Sequence, residues 1–319
     1  MTVTADLPDY ICAEAGADCD TTFAVKNHVG LLVVSNDTAG YPVNLYEPPY
    51  DGAAIPVGGS HHYSMGLAFN SKGDLAITNF NQLVRVHAPP YDVEGTAVYD
   101  PGGPQATGAS FDASDNLAIS VYQNYTMLLA YPYTASPYAG VFGSNGYGPP
   151  GVFDGAGNVW IAEATGLSGH APPTFAGPPL ATFNITYLAR NLRGGPGGKI
   201  FYTTAFNALY VAEPPYDSPQ LVTGSCRHLA VDARGNVYAA TDNQIQVFDA
   251  SYQLVHVIDG VAPAFEPYLQ GGKLAVGPGG DIFTANGNNT ITVHVAPYDQ
   301  PPIVITDGVL NPISLAVQQ

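Results

Sequence analysis

Cationic residues are scarce in this chain of 319 residues: nine Lys and Arg stand against 26 Asp and Glu, a formal net charge of −17. A field of that sign repels phosphate backbones and anionic lipid, so it argues against nucleic-acid binding and membrane-surface binding, and it favours cations and basic partners. Cysteine is as sparse, with only Cys12, Cys19 and Cys226. Cys12 and Cys19 have the spacing to close a small disulfide loop in an oxidising compartment. A zinc site is not expected, because no second Cys or His pair stands nearby at ligand spacing. Cys226 is alone and is read as a small packed residue. No run of 18 apolar residues exists, so no membrane span is expected. The first 20 residues lack a basic start and an apolar stretch, so no intact signal peptide is read there. No G-x-S-x-G elbow and no Cys, His and Asn set stands out.

What is abundant is Gly (36), Pro (28) and Tyr (21). That composition suits short strands and turns rather than helices. The chain also repeats itself. EPPYD ends at Asp51, APPYD at Asp92, EPPYD at Asp217 and VAPYD at Asp299, with degenerate copies around Tyr133, Phe175 and Tyr252. Counted on the aromatic residue, the steps are 41, 42, 42, 41, 36 and 46 residues. The short step and the long one compensate, so the register survives. A period of this length marks a repeated supersecondary unit.

A second landmark keeps the same period. KGDLAIT at Asp74, SDNLAIS at Asn116, AGNVWIA at Asn158, GGKIFYT at Lys199, RGNVYAA at Asn236 and GGDIFTA at Asp281 each place Gly, Asn, Asp or Lys before an apolar run. This is a hairpin turn followed by a strand. An apolar piece precedes each turn, from FAV at Val25 to KLAV at Val276, and two further strands follow, the second after the PPYD phrase. Four strands per unit, repeated every 41 to 42 residues, predict an all-β fold: a β-propeller of four-stranded antiparallel blades. Seven blades are expected, with six as the alternative. The domain reading is a leader over 1–22 and a propeller over 23–319. The terminal strand ISLAV, Ile313 to Val317, is expected to close the ring against the first blade, because closure removes exposed edges.

RGNVYAATDNQIQVFDASYQL, from Arg234 to Leu254, resembles an NHL repeat. NHL-like propellers include scaffolds, RNA binders and enzymes, so the resemblance implies a fold without naming an activity. GNVWIAEA, Gly157 to Ala164, is similar to a turn and strand of the streptogramin lyase propellers. That likeness implies a Mg-assisted site at the channel mouth, with His228 as general acid or base and Glu163 supporting it. The calcium-dependent lactonase and esterase propellers are also similar in plan. The comparison implies Glu163, Asp242, Asn79 and Asn286 as oxygen donors for Ca²⁺ or Mg²⁺.

In a propeller the ends of the second strands and the approaches to the first strands meet at one mouth of the channel. The residues expected there are Asn36, His61, His62, Asn79, Glu163, Arg227, His228, Asp242 and Asn286. They either bind a ligand or ion, or solvate the opening and cap strand ends. On the other face, Tyr50, Tyr91, Tyr216 and Tyr298 of the PPYD phrase form a crown. It either contacts a partner or glycan, or it seals blade to blade. Gly194–Gly198 and Gly277–Gly280 are hairpin turns rather than phosphate loops, since neither is followed by Lys-Ser or Lys-Thr. The expectation for function is a non-enzymatic binding or structural module with no required cofactor, meeting a protein or glycan partner outside the cytoplasm or at the cell surface. The alternative is a metal-dependent lyase or lactonase.

Overall fold

The computed structural model describes residues 10–11, 25–26, 30–38, 40, 42–61, 63–79, 83–99, 105–121, 125–133, 139–143, 151–163, 166–172, 175, 178–184, 191–261, 263 and 272–318. These residues form seven four-stranded antiparallel sheets and one two-stranded ribbon. Seven blades, not six, surround the axis. Their innermost strands are Pro312–Val317, Ser64–Phe69, Ala106–Phe111, Val152–Phe153, Leu192–Gly194, His228–Val231 and Leu274–Val276, for blades 1 to 7 in turn. Blade 4 carries the most degenerate repeat, and its inner strand is only two residues long.

Ring closure follows the expectation. Pro312–Val317 pairs with Leu32–Asn36, matching Val34 with Leu315, so the last strand of the chain becomes the innermost strand of blade 1. The other candidate for that place, FAV, is used elsewhere. Val25 pairs with Ile11 in the small ribbon, because a blade has room for one inner strand and the C-terminal segment occupies it. The Cys12 to Cys19 loop lies outside the described residues.

Each strand alternates its side chains between the two faces of its blade, and both faces are apolar because a propeller blade is sandwiched between neighbours. The result is one hydrophobic cluster for each of the seven blade interfaces. Leu32, Tyr46, Phe283 and Ile291 join blades 7 and 1. Leu31, Val33, Leu67 and Ile77 join blades 1 and 2, and Trp160, Leu167, Leu192 and Tyr202 join blades 4 and 5. Burying one such side chain stabilises by roughly 1.5 to 3 kcal/mol, so the interfaces carry most of the fold's apolar gain.

The turns explain the repeat. Between first and second strands, Asn70, Asp112, Asp154 or Asp232 accepts the backbone N–H two and four residues on, an Asx turn. The other carboxylate oxygen of each Asp accepts from the side-chain amide of Asn116, Asn158 or Asn236, and in blade 2 the Asn70 amide donates to Asp74. Gly73, Gly157 and Gly235 take the positive φ this turn requires, and Asp115 takes it in blade 3.

The PPYD phrase is the turn between third and fourth strands. Its aromatic residue has positive φ in all seven blades, from 51° at Phe175 to 72° at Tyr298. That conformation swings the ring inward, toward the apolar cluster shared with the preceding blade. The hydroxyls of Tyr50, Tyr91, Tyr133, Tyr216 and Tyr298 donate to the carbonyls of Gly30, Gly73, Asp115, Gly198 and Gly280 at 2.6 to 2.8 Å. In blade 6 Tyr252 reaches Lys199 and Glu213 of blade 5 instead. Every one of these aromatics packs in the cluster shared with the preceding blade.

Candidate functional site

The central channel is lined by the inner strands of all seven blades and encloses about 290 Å³. Small side chains dominate its lining, beside the hydroxyls of Thr107, Ser110 and Ser314 and, among the described residues, one fixed charge, Arg193. At the mouth, the expected side chains are engaged in holding loops. The Asn36 amide donates to the Pro42 and Gly308 carbonyls at 3.1 and 3.2 Å and accepts from Leu310 N–H at 2.8 Å, tying blade 1 to the closing segment. Asn79 accepts from the Ser64 hydroxyl at 2.9 Å and donates to the Leu83 carbonyl at 3.1 Å. Asn286 donates to Thr290 and Thr292 within its own blade.

Between blades 5 and 6 the mouth holds a paired charge. Arg227 meets both carboxylate oxygens of Asp242, at 2.7 and 2.8 Å. Asn191 donates to the Arg227 carbonyl at 2.8 Å and to Thr203 at 2.9 Å. His228 starts the inner strand of blade 6 and is buried. Cys226, just before it, is fully buried, and burial pushes its thiol well above the ordinary range. That places Cys226 among packed residues rather than nucleophiles. Glu163 ends the second strand of blade 4; its side chain and His62 lie outside the described residues. The structure therefore brings Arg227 and Asp242 together, while Asn79 and Asn286 cap loops in blades 2 and 7. Among the described residues no three His, Cys, Asp or Glu side chains lie close enough to share an ion.

Two expectations are corrected. His61 does not stand at the mouth. The linker that carries it runs down the perimeter of blade 2, where Gly58 N–H donates to the Tyr91 carbonyl at 2.8 Å. There His61 is buried, its ring 5.5 Å from that of His87. Burial lowers the pKa of both, to about 4 for His87, where the neighbouring His61 adds repulsion. The tyrosine crown is likewise turned inward. Tyr50 and Tyr91 are 7% and 3% exposed, and Tyr216 and Tyr298 are half-buried. Burial pushes Tyr91 and Tyr216 up to about 12. The rings seal blade contacts, as in the edge-on packing of Tyr50 on Phe283 at 5.1 Å and of Tyr216 on Trp160 at 4.8 Å.

Sequence reading did not single out a cleft at the perimeter between blades 6 and 7. It has a volume of about 620 Å³ and is lined by Asn286, Asn288, Thr290, Thr292, His294 and Asp259, with Val261 and Val304 as its apolar part. His294 is 7% exposed with its Nε2 unpartnered among the described residues, and burial lowers its pKa. The alternation Thr290, Thr292, His294 along one strand was the available signal, since a polar stripe on the face toward a neighbouring blade leaves a gap in an apolar contact.

No protein-family model matches the sequence, and no curated protein matches it. Solved structures do. Virginiamycin B lyase from Staphylococcus aureus, in selenomethionine-substituted form, aligns with a TM-score of 0.57 at 11% identity, over 76% of this chain and 82% of that one. The apo form of AztD from Citrobacter koseri aligns with a TM-score of 0.56 at 16% identity, over 90% of this chain and 97% of that one. The shared feature is the propeller. At these identities the likeness is one of fold, and the resemblance read from Gly157 to Ala164 holds at that level.

Proposed function

We propose that this propeller is a non-enzymatic binding module that takes a neutral glycan, free or carried by a partner protein, in the cleft between blades 6 and 7. The observation that supports this reading is the lining of the cleft: two amides and two hydroxyls preordered by hydrogen bonds to one another, and a buried imidazole, beside the aliphatic faces of Val261 and Val304. Sugars present hydroxyls to the first kind of surface and C–H faces to the second. Among the described residues a single carboxylate, Asp259, and no fixed cation border the cleft, which suits an uncharged ligand. The rigid ring supplies preorganisation, so little ordering cost opposes binding.

A panel of neutral oligosaccharides titrated against the full chain by calorimetry tests the reading. Saturable binding that Thr292→Tyr abolishes, by filling the cleft, is the expected result. Absence of binding across the panel, or binding indifferent to Thr292→Tyr, would sink it. The metal-dependent alternative asks for Glu163 and His228 to act around Ca²⁺ or Mg²⁺. Its support is the fold shared with a lyase, and the metal content of natively purified protein measures it directly.

A further inference from the structure

One position of the repeat breaks its own pattern inside the channel. Ala68, Ser110, Val152, Arg193, Ala230, Ala275 and Ala316 occupy the same place on the seven inner strands. Each pairs with the second residue of its blade's second strand, as Ala68 does with Ala76, Arg193 with Phe201 and Ala316 with Val33. All seven line the channel. Six are small, and blade 5 alone projects a guanidinium into the lumen.

That guanidinium is poorly satisfied by the protein. Its Nη1 donates to the Leu192 carbonyl at 2.9 Å, and no carboxylate among the described residues pairs with it. Among the described residues most of its fixed fork of N–H donors stays uncommitted. The guanidinium is half-buried, and burial lowers its pKa from the ordinary guanidinium value. A half-buried cation without a counter-charge is left partly uncompensated, and none of the described residues among the chain's 26 acidic ones is paired with it. Gly272 marks the close approach across the lumen, because a Cβ there would come within 2.8 Å of Arg193 Nη2.

We propose that Arg193 makes the central channel a binding site for a small monocarboxylate. The planar fork matches a carboxylate through two parallel hydrogen bonds. One fixed cation balances one negative charge, and the net charge of −17 disfavours multiply charged anions. The remaining wall combines small side chains, Ala68, Ala230, Ala275 and Ala316, with the hydroxyls of Thr107, Ser110 and Ser314, so it receives a small organic body that carries no second charge. This site is separate from the perimeter cleft, and neither reading depends on the other.

The experiment is a titration of the purified full chain with benzoate and with 4-methylpentanoate, read by calorimetry, with chloride, sulfate and inorganic phosphate as competitors. Expected is one equivalent of carboxylate bound, weakened roughly tenfold or more by Arg193→Gln. Arg234→Gln, which removes an exposed cation of the turn face, should leave it unchanged. Gly272→Ala gives an independent arm, since it displaces the guanidinium while keeping its charge, and it should weaken binding as well. Carboxylate binding that survives Arg193→Gln and Gly272→Ala overturns the proposal. So does the absence of carboxylate binding, or inorganic anions that compete as well as the carboxylates bind.

Discussion

At the residue scale the tyrosine of the PPYD turn is the informative side chain. Tyr91 spends its hydroxyl on the Gly73 carbonyl at 2.6 Å and its ring on Phe69 and on the cluster between blades 1 and 2. Tyr91→Phe removes the hydrogen bond alone and leaves a buried carbonyl short of a partner, so a loss of about 1 kcal/mol is expected. Tyr91→Ala also empties the interface, and a loss of about 3 to 5 kcal/mol is expected from urea denaturation. If the two variants lose the same amount, the ring packs less tightly in solution than in the fold described. His87 gives a pH prediction. Its folded-state pKa near 4, set first by burial and then by His61, lies below the ordinary 6.5. Arg85 also lowers the pKa of both imidazoles, while the Val93 carbonyl raises that of His87 and Glu94 raises that of His61. The unfolded chain therefore binds more protons between those pH values. The contribution of His87 to stability is complete above 6.5 and is lost as the pH falls toward 4. His87→Gln should flatten the acid limb of a stability profile. A slope unchanged by the variant would show that the imidazole is hydrated.

At the scale of strands and turns, closure is the feature that decides stability. Pro312–Val317 supplies the inner strand of blade 1 and places Leu315 and Val317 in the cluster between blades 7 and 1. Ending the chain after Leu310 strips Leu32–Asn36 of its inner partner and opens an apolar edge. A non-cooperative melt with dye-binding hydrophobic surface is the expected outcome; an intact cooperative melt would mean that Val25–Lys26 can take the vacant place. That strand also shows where sequence reading stops. The period, the Asx turns and the four-strand unit are written in local residue types, so blade number and ring closure were legible in the sequence. Which of two equally apolar segments fills one slot is a competition between distant parts of the chain, and FAV lost it to ISLAV. The same limit applies to His61, because the path of a linker is set by what it packs on rather than by its own residues. Side-chain direction was hidden for a different reason. The inward turn of Tyr50 and Tyr91 depends on a positive φ that a non-glycine residue does not advertise. Arg193 was legible in principle, as one arginine among six small residues once the repeats are aligned on their inner strands, since the misfit rather than the pattern carries the chemistry.

For the whole molecule, the question is whether the ring needs an ion to stand. The fold closes through seven apolar clusters, one at each blade interface, and its turns are held by Asx contacts and tyrosine hydroxyls. At the mouth, the carboxylate of Asp242 is balanced by Arg227, and the amides of Asn79 and Asn286 are used within their own blades. Such a ring owes its stability to area removed from water, so chelation by EDTA is expected to leave the melting temperature unchanged. An ion bound only to the folded state would behave differently, because it stabilises by mass action and its removal lowers the melt in proportion to occupancy. Metal analysis of natively purified protein, followed by melts with and without EDTA, separates the two. One equivalent of Ca²⁺ or Mg²⁺ with a falling melt would put Glu163 and His228 back at the centre of an enzyme and turn substrate screens toward lactones and cyclic esters. An unchanged melt would count against that enzyme and direct the search to the glycan and carboxylate titrations proposed for the rim cleft and the channel.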